Sequence, residues 1–191
     1  MQKNTVVFAL VLGALGVAAN VVLGTVVSSL KIPLLFLDTV GTIFIAAFLG
    51  PFWGALTGAT TNVLLGIVTN PKDIPFALVN LVIGLIVGFV ARKSGFGFVT
   101  AFWTGLVLAV IAPLIGTPIA VWIYGGLTGG GMDLIFAWLR QAGNSIFTAA
   151  FLPRIAGNLV DKVASALLVA ALLQKLPQPL KSKVKNQIAQ G

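Results

Sequence analysis

Long stretches of this chain carry no charge and almost no polarity, and short polar breaks delimit them. An apolar helix needs about 20 residues to cross a bilayer. Read against that length, the pattern predicts six spans, at about Thr5–Ser28, Leu35–Leu49, Phe52–Val68, Ile74–Val90, Phe96–Val121 and Arg154–Leu173. The second is short for a crossing, and Gly50-Pro51 separates it from the third. Pro113 and Pro118 predict a break in the fifth, because proline removes a helical hydrogen bond. Between the last two spans, Tyr124–Pro153 opens with the glycine-rich "GGLTGGG" and predicts an interfacial helix over Met132–Arg140. A glycine hinge beside such a helix, with Trp138 on it, is suited to form a lid. The first apolar run is longer than the core of a signal peptide, so it reads as a span that is retained.

Composition turns this pattern into a fold class. Of 191 residues, 58% are hydrophobic and only 8% are charged, where a soluble domain carries about 25% charged residues. The chain reads as an all-α integral membrane protein, a single six-helix domain over residues 1–191 with a basic tail at 175–191. The net charge of +8 is scattered between spans and gathered in the tail, so it implies membrane lipid and not nucleic acid. With both termini cytoplasmic, Lys3, Arg92, Lys93, Lys175, Lys181, Lys183 and Lys185 lie inside. Lys31, Lys72, Arg140 and Arg154 then lie outside. That bias agrees with the positive-inside rule and predicts a multi-pass membrane protein with both termini inside.

The same topology gives each intramembrane polar group a depth, at about 1.5 Å per helical residue. Asp38 and Thr42 fall in the outer half of the second span, Thr60, Thr61 and Asn62 past the middle of the third, and Asn80 near the outer end of the fourth. Arg154, Asn158, Asp161 and Lys162 fall near the outer end of the sixth. The inner halves of these spans are apolar or small. Polar groups in membranes usually face a bundle interior or a wet cavity, so a shared depth predicts one polar cavity open to the outside and closed below. Arg154, Asn158 and Asp161 follow i, i+4, i+7 and share a face. Lys162 is expected to pair with Asp38 across the bundle, and only poorly with its neighbour Asp161. Trp122 and Tyr124 end the fifth span, where they form an aromatic belt or stack on a ligand. Isolated threonines and asparagines in membrane helices also serve simply as hydrogen-bond bridges between helices.

The chemistry that is missing narrows function further. The chain has no His, no Cys and no Glu; its acids are Asp38, Asp73, Asp133 and Asp161. A zinc site needs His or Cys clusters, and a Ser-His-Asp or Cys-His nucleophile needs His. No GxxxxGK[ST] loop is present for binding ATP phosphates. The chain is read as no enzyme, with no catalytic residue, no metal and no cofactor. Small residues offer close helix contacts instead: Ala14-x3-Ala18 in the first span, and Gly50, Gly54 and Gly58 at two overlapping GxxxG spacings in the third.

Six spans, Ala14-x3-Ala18, "FLDTVGTIFIAAFLGPFWGALTGATTN", "NPKDIPFALVNLVIGLIVGFVARK" and "NLVDKVASALLVAALLQKLP" together resemble the S components of energy-coupling factor (ECF) importers. The resemblance covers most of the chain. It implies a small vitamin-binding subunit that captures its substrate at the outer face. Such subunits work with a transmembrane coupling subunit and two cytoplasmic ATPase subunits, and topple in the membrane to deliver the vitamin. It implies docking of the coupling subunit on Ala14 and Ala18, and a pocket formed by the loop after the first helix, about Ser29–Pro33, with Asn80, Asn158 and Asp161. Asp38 and Asn62 lie on helices that in this family more often dock than bind. The vitamin is expected to be small, polar and ring-shaped, of a pyridoxine-like B6 type. The alternative is a self-sufficient ion-coupled secondary transporter using Asp38 or Asp161.

Overall fold

The structure, a computed structural model, describes residues 3–129, 131–178 and 180. Lys181, Lys183 and Lys185 of the basic tail lie outside the described residues. The fold is all-helical: α1 (Lys3–Ser29), α2 (Val40–Leu49), α3 (Pro51–Val68), a 3-10 helix (Pro71–Phe76), α4 (Ala77–Ser94), α5 (Phe98–Tyr124), α6 (Asp133–Gln141) and α7 (Ile146–Lys175). Among the described residues, four helical stretches are long and apolar enough to cross a membrane: Val6–Ser29, Pro71–Ser94, Phe98–Tyr124 and Ile146–Lys175. Their outer faces are apolar as well. Val7, Leu10, Leu15 and Val22 on α1, and Trp103, Val107 and Leu114 on α5, are exposed, as helices in lipid require.

Helix boundaries depart from the hydropathy pattern in three places, each for a local reason. First, α2 starts at Val40 and not at Leu35. The segment before it bends through Lys31, Leu34 and Leu37, all at positive φ. Its amides at Phe36 and Leu37 donate to the Asp161 carboxylate at 2.9 and 2.8 Å, which takes them out of any helical ladder. Second, α5 runs unbroken through Pro113 and Pro118, where a break was expected. Third, α7 begins eight residues before Arg154. Ser145 caps it by accepting the Thr148 amide at 3.0 Å, which is ordinary helix N-terminal chemistry.

Glycines set the closeness of the first half. Gly50, at φ +100, ends α2, and Pro51 opens α3 directly behind it. A Cβ on Gly54 would overlap Ala46 of α2, one on Gly84 would overlap the Gly54 backbone, and one on Gly58 would overlap the Asn80 carbonyl. A Cβ on Gly50 would meet the Arg92 guanidinium at 2.8 Å. Gly50, Gly54 and Gly58 are therefore buried in this chain's own packing, which corrects their assignment to subunit docking. Ala14 and Ala18 are exposed on α1. They border an apolar groove with Val17, Val21, Leu64 and Val68 between α1 and α3.

The bundle has two unlike ends. Ala9, Phe8 and Leu12 of α1 pack with Phe48, Leu49, Leu173 and Leu176, so the start of α1 and the end of α7 lie together. Above them, Val40, Ile43, Ala46, Ile83, Val87, Leu108, Ala112 and Val169 form the central core. Polar groups collect at the other end.

Candidate functional site

A cavity of about 480 Å³ occupies that end, within the size range of small-ligand sites. The last turns of α1 and α3, the 30–39 segment, the 3-10 helix, α4, α5, α7 and the loop before α6 all contribute to its wall. Ile83 and Ala112 line it and also belong to the central core. The floor is thus apolar, as the shared depth predicts.

One buried lysine organises its deep wall. Lys162 is 3% exposed, and its ammonium contacts Asp161 Oδ2 at 2.7 Å, Thr39 Oγ1 at 3.0 Å and Asp38 Oδ1 at 3.1 Å. An ammonium has three N–H donors, so all three are engaged. The Asp161 pairing corrects the expectation that neighbours in sequence point apart. Asp161 lies against the 30–39 segment, which brings Asp38 within reach of the long lysine side chain, so the ammonium bridges both acids.

Asp161 itself is fully buried and does not line the cavity. Its Oδ1 accepts the Phe36 and Leu37 amides and its Oδ2 accepts Lys162. It is a latch for the 30–39 segment, not a contact for a solute. The cavity-lining row on α7 is Arg154, Asn158 and Lys162, at i, i+4 and i+8. Arg154 donates to the Ala150 carbonyl at 2.9 Å and, across the bundle, to the Gly126 carbonyl at 3.2 Å. Asn158 donates to the Arg154 carbonyl at 2.8 Å.

Asp38 is different from Asp161. Its side chain is 41% exposed and faces the cavity. Next to it, Asn80 donates to Asn62 Oδ1 at 3.0 Å and to the Asp38 carbonyl at 3.4 Å. Asn62 and Asn80 both line the cavity, and the Asn80 Oδ1 has no hydrogen-bond partner among the described residues.

Thr42 is not part of this wall. It is fully buried and accepts from Asn20 Nδ2 at 2.9 Å. Asn20 also donates to Thr61 Oγ1 at 3.0 Å and accepts the Gly41 amide at 2.7 Å. This joins α1, α2 and α3 out of contact with the cavity. The signal for Asn20 was present, a lone amide in an apolar helix, but hydropathy depth alone does not single it out. Trp122 is 86% exposed on the outside of α5 and lines nothing. Tyr124 also lies outside the lining, yet it acts on it. Its hydroxyl donates to Asp73 Oδ1 at 2.7 Å and accepts from Asn70 Nδ2 at 3.1 Å, and its ring packs 6.4 Å from Phe76. Asp73, Asn70 and Phe76 line the cavity. None of them is singled out as a site residue by the sequence pattern. Ser28, Ser29 and Ile32 line it from the α1 end, and Thr128, Gly131 and Met132 from the loop before α6. Trp138 is exposed.

No protein-family model matches the chain, and no curated protein or solved structure matches it either.

Proposed function

We propose that this chain is the substrate-binding membrane subunit of an ECF-type importer. In that role it captures a small vitamin at the outer face of a prokaryotic cell membrane. The observation that carries the reading is the cavity: polar groups from distant helices meet at one end of the bundle, over an apolar floor. A binding subunit needs one closed, outward-facing site and no polar route through its own body. An ion-coupled transporter would need a polar path beyond its carboxylate: Asp161 is buried under two amides and an ammonium, and Asp38, half-exposed on the cavity wall, stands over an apolar floor.

In this reading six helices cross, with α2 and the preceding segment together forming the second crossing. Both termini are cytoplasmic, which puts the cavity outside and Arg92, Lys93 and Lys175 inside. The exposed Ala14 and Ala18 supply the docking face for a transmembrane coupling subunit, which two cytoplasmic ATPase subunits drive. Toppling of the subunit then turns the cavity inward. The loop carrying Thr128 and Gly131 is the lid, and a pyridoxine-like vitamer is the first ligand to try.

The test is direct. The chain is purified in detergent from a rich-medium culture and denatured, and released small molecules are identified by mass spectrometry. A vitamin in stoichiometric amount is the expected result. An empty protein that also fails to shift its melting temperature with a vitamin panel would overturn the reading.

A further inference from the structure

The polar groups on the cavity wall are not equally available, and the imbalance points to the charge of the ligand. Two cations and two carboxylates line the cavity: Lys162, Arg154, Asp38 and Asp73. The two cations differ: all three Lys162 N–H donors have acceptors within the protein, while Arg154 spends two of its five N–H donors on backbone carbonyls. The carboxylates are each committed at one oxygen only. Asp38 Oδ1 accepts from Lys162, and Asp73 Oδ1 accepts from Tyr124. Among the described residues, no donor reaches Oδ2 of either.

Charge leans the same way. On the wall and beside it, Lys162 and Arg154 stand against Asp38, Asp73 and Asp161, which leaves one negative charge in excess. Lys72 sits over the Tyr124 ring at 5.6 Å and does not line the cavity. A carboxylate oxygen with no donor, in a site bounded by apolar groups, favours a donor or a positive charge brought by a ligand. The rest of the wall includes Leu35, Phe36, Phe76 and Val79, which suits an apolar or aromatic body.

We infer that the cavity takes a small organic cation, with its charged nitrogen paired to the free oxygen of Asp38 and Asp73 as a second acceptor. This inference rests on the reading of the cavity as a solute-binding site and adds the chemical class of the solute. It predicts weaker binding of carboxylate-bearing ligands, because Lys162 has no donor left for them and only Arg154 keeps N–H groups to offer.

The experiment is calorimetric titration of the full purified chain in detergent. The probes are thiamine and pyridoxamine as cations, riboflavin as a neutral solute, and pantothenate and biotin as anions. Binding of a cation in preference to the others is expected. Asp38→Asn should weaken it by about 10- to 100-fold, as for loss of one charge-assisted hydrogen bond. Asp73→Asn, which leaves the Lys162 contacts untouched, gives the second readout should Asp38→Asn misfold. Binding of riboflavin, pantothenate or biotin in preference, or an unchanged cation affinity in both variants, would overturn the charge assignment and leave the binding-subunit reading standing. If none of the five binds, the charge assignment falls. The binding-subunit reading falls with it only when the mass spectrum of the released contents is also empty.

Discussion

Asn20 and Lys162 each join separate parts of the chain from inside the bundle. Asn20 ties α1 to α2 and α3 through Thr42, Gly41 and Thr61. Lys162 ties α7 to the 30–39 segment through Asp38 and Thr39, with Asp161 beside it. The first junction is neutral, fully buried and has no contact with the cavity. The second is charged, and one of its acids stands half-exposed on the cavity wall. A neutral junction can close completely, since each donor finds one acceptor. A charged junction of one ammonium and two carboxylates has more acceptor oxygens than donors, so it leaves capacity over. That surplus, not burial or polarity as such, separates a group that holds the fold from one that can also hold a solute.

The strongest way to break this comparison is Asp161→Ala. It leaves the buried ammonium with Asp38 and Thr39 alone and frees two amides, and should cost about 3–5 kcal/mol. Thermal unfolding in detergent checks it, together with faster hydrogen exchange at Phe36 and Leu37. An unchanged melting temperature would remove the latch. Asn20→Ala follows, with three hydrogen bonds lost and about 2–3 kcal/mol expected. Solute affinity should stay as it was, and a fall in affinity at unchanged stability would place Asn20 with the cavity after all. Tyr124→Phe is a finer test. Removing one hydroxyl from Asp73 should weaken solute binding by about 3- to 10-fold and cost less than about 1 kcal/mol of stability. Trp122→Ala should do least: within about 0.5 kcal/mol in unfolding, with calorimetric affinity unaltered. A large loss there would mean that the exposed indole has a partner.

Much of this arrangement is legible along the chain, because depth in a membrane is a one-dimensional quantity. Asp38, Asn62, Asn80, Arg154, Asn158 and Lys162 were grouped by depth alone, and all six line the cavity. Thr42, Thr60, Thr61 and Asp161 share that depth but do not line the cavity, since depth says nothing about which way a side chain faces around its helix. The 30–39 segment is a further case. Its unwinding depends on a carboxylate 124 residues away, which no local pattern carries. The same holds for Tyr124, whose effect reaches the wall only through Asp73. GxxxG spacing marked close contacts at Gly54 and Gly58, but spacing does not say whether the contacting helix belongs to the same chain.

The Asp161 latch grips the main chain at Phe36 and Leu37 and touches neither side chain through its hydrogen bonds. An anchor of that kind is indifferent to residue identity. Of the two side chains, Phe36 also meets the Lys162 ammonium through its ring at 5.9 Å and Leu37 packs against the central core. Leu35 stands on the cavity wall outside the latch, so a change there can retune what the cavity captures without disturbing how the wall is held in place.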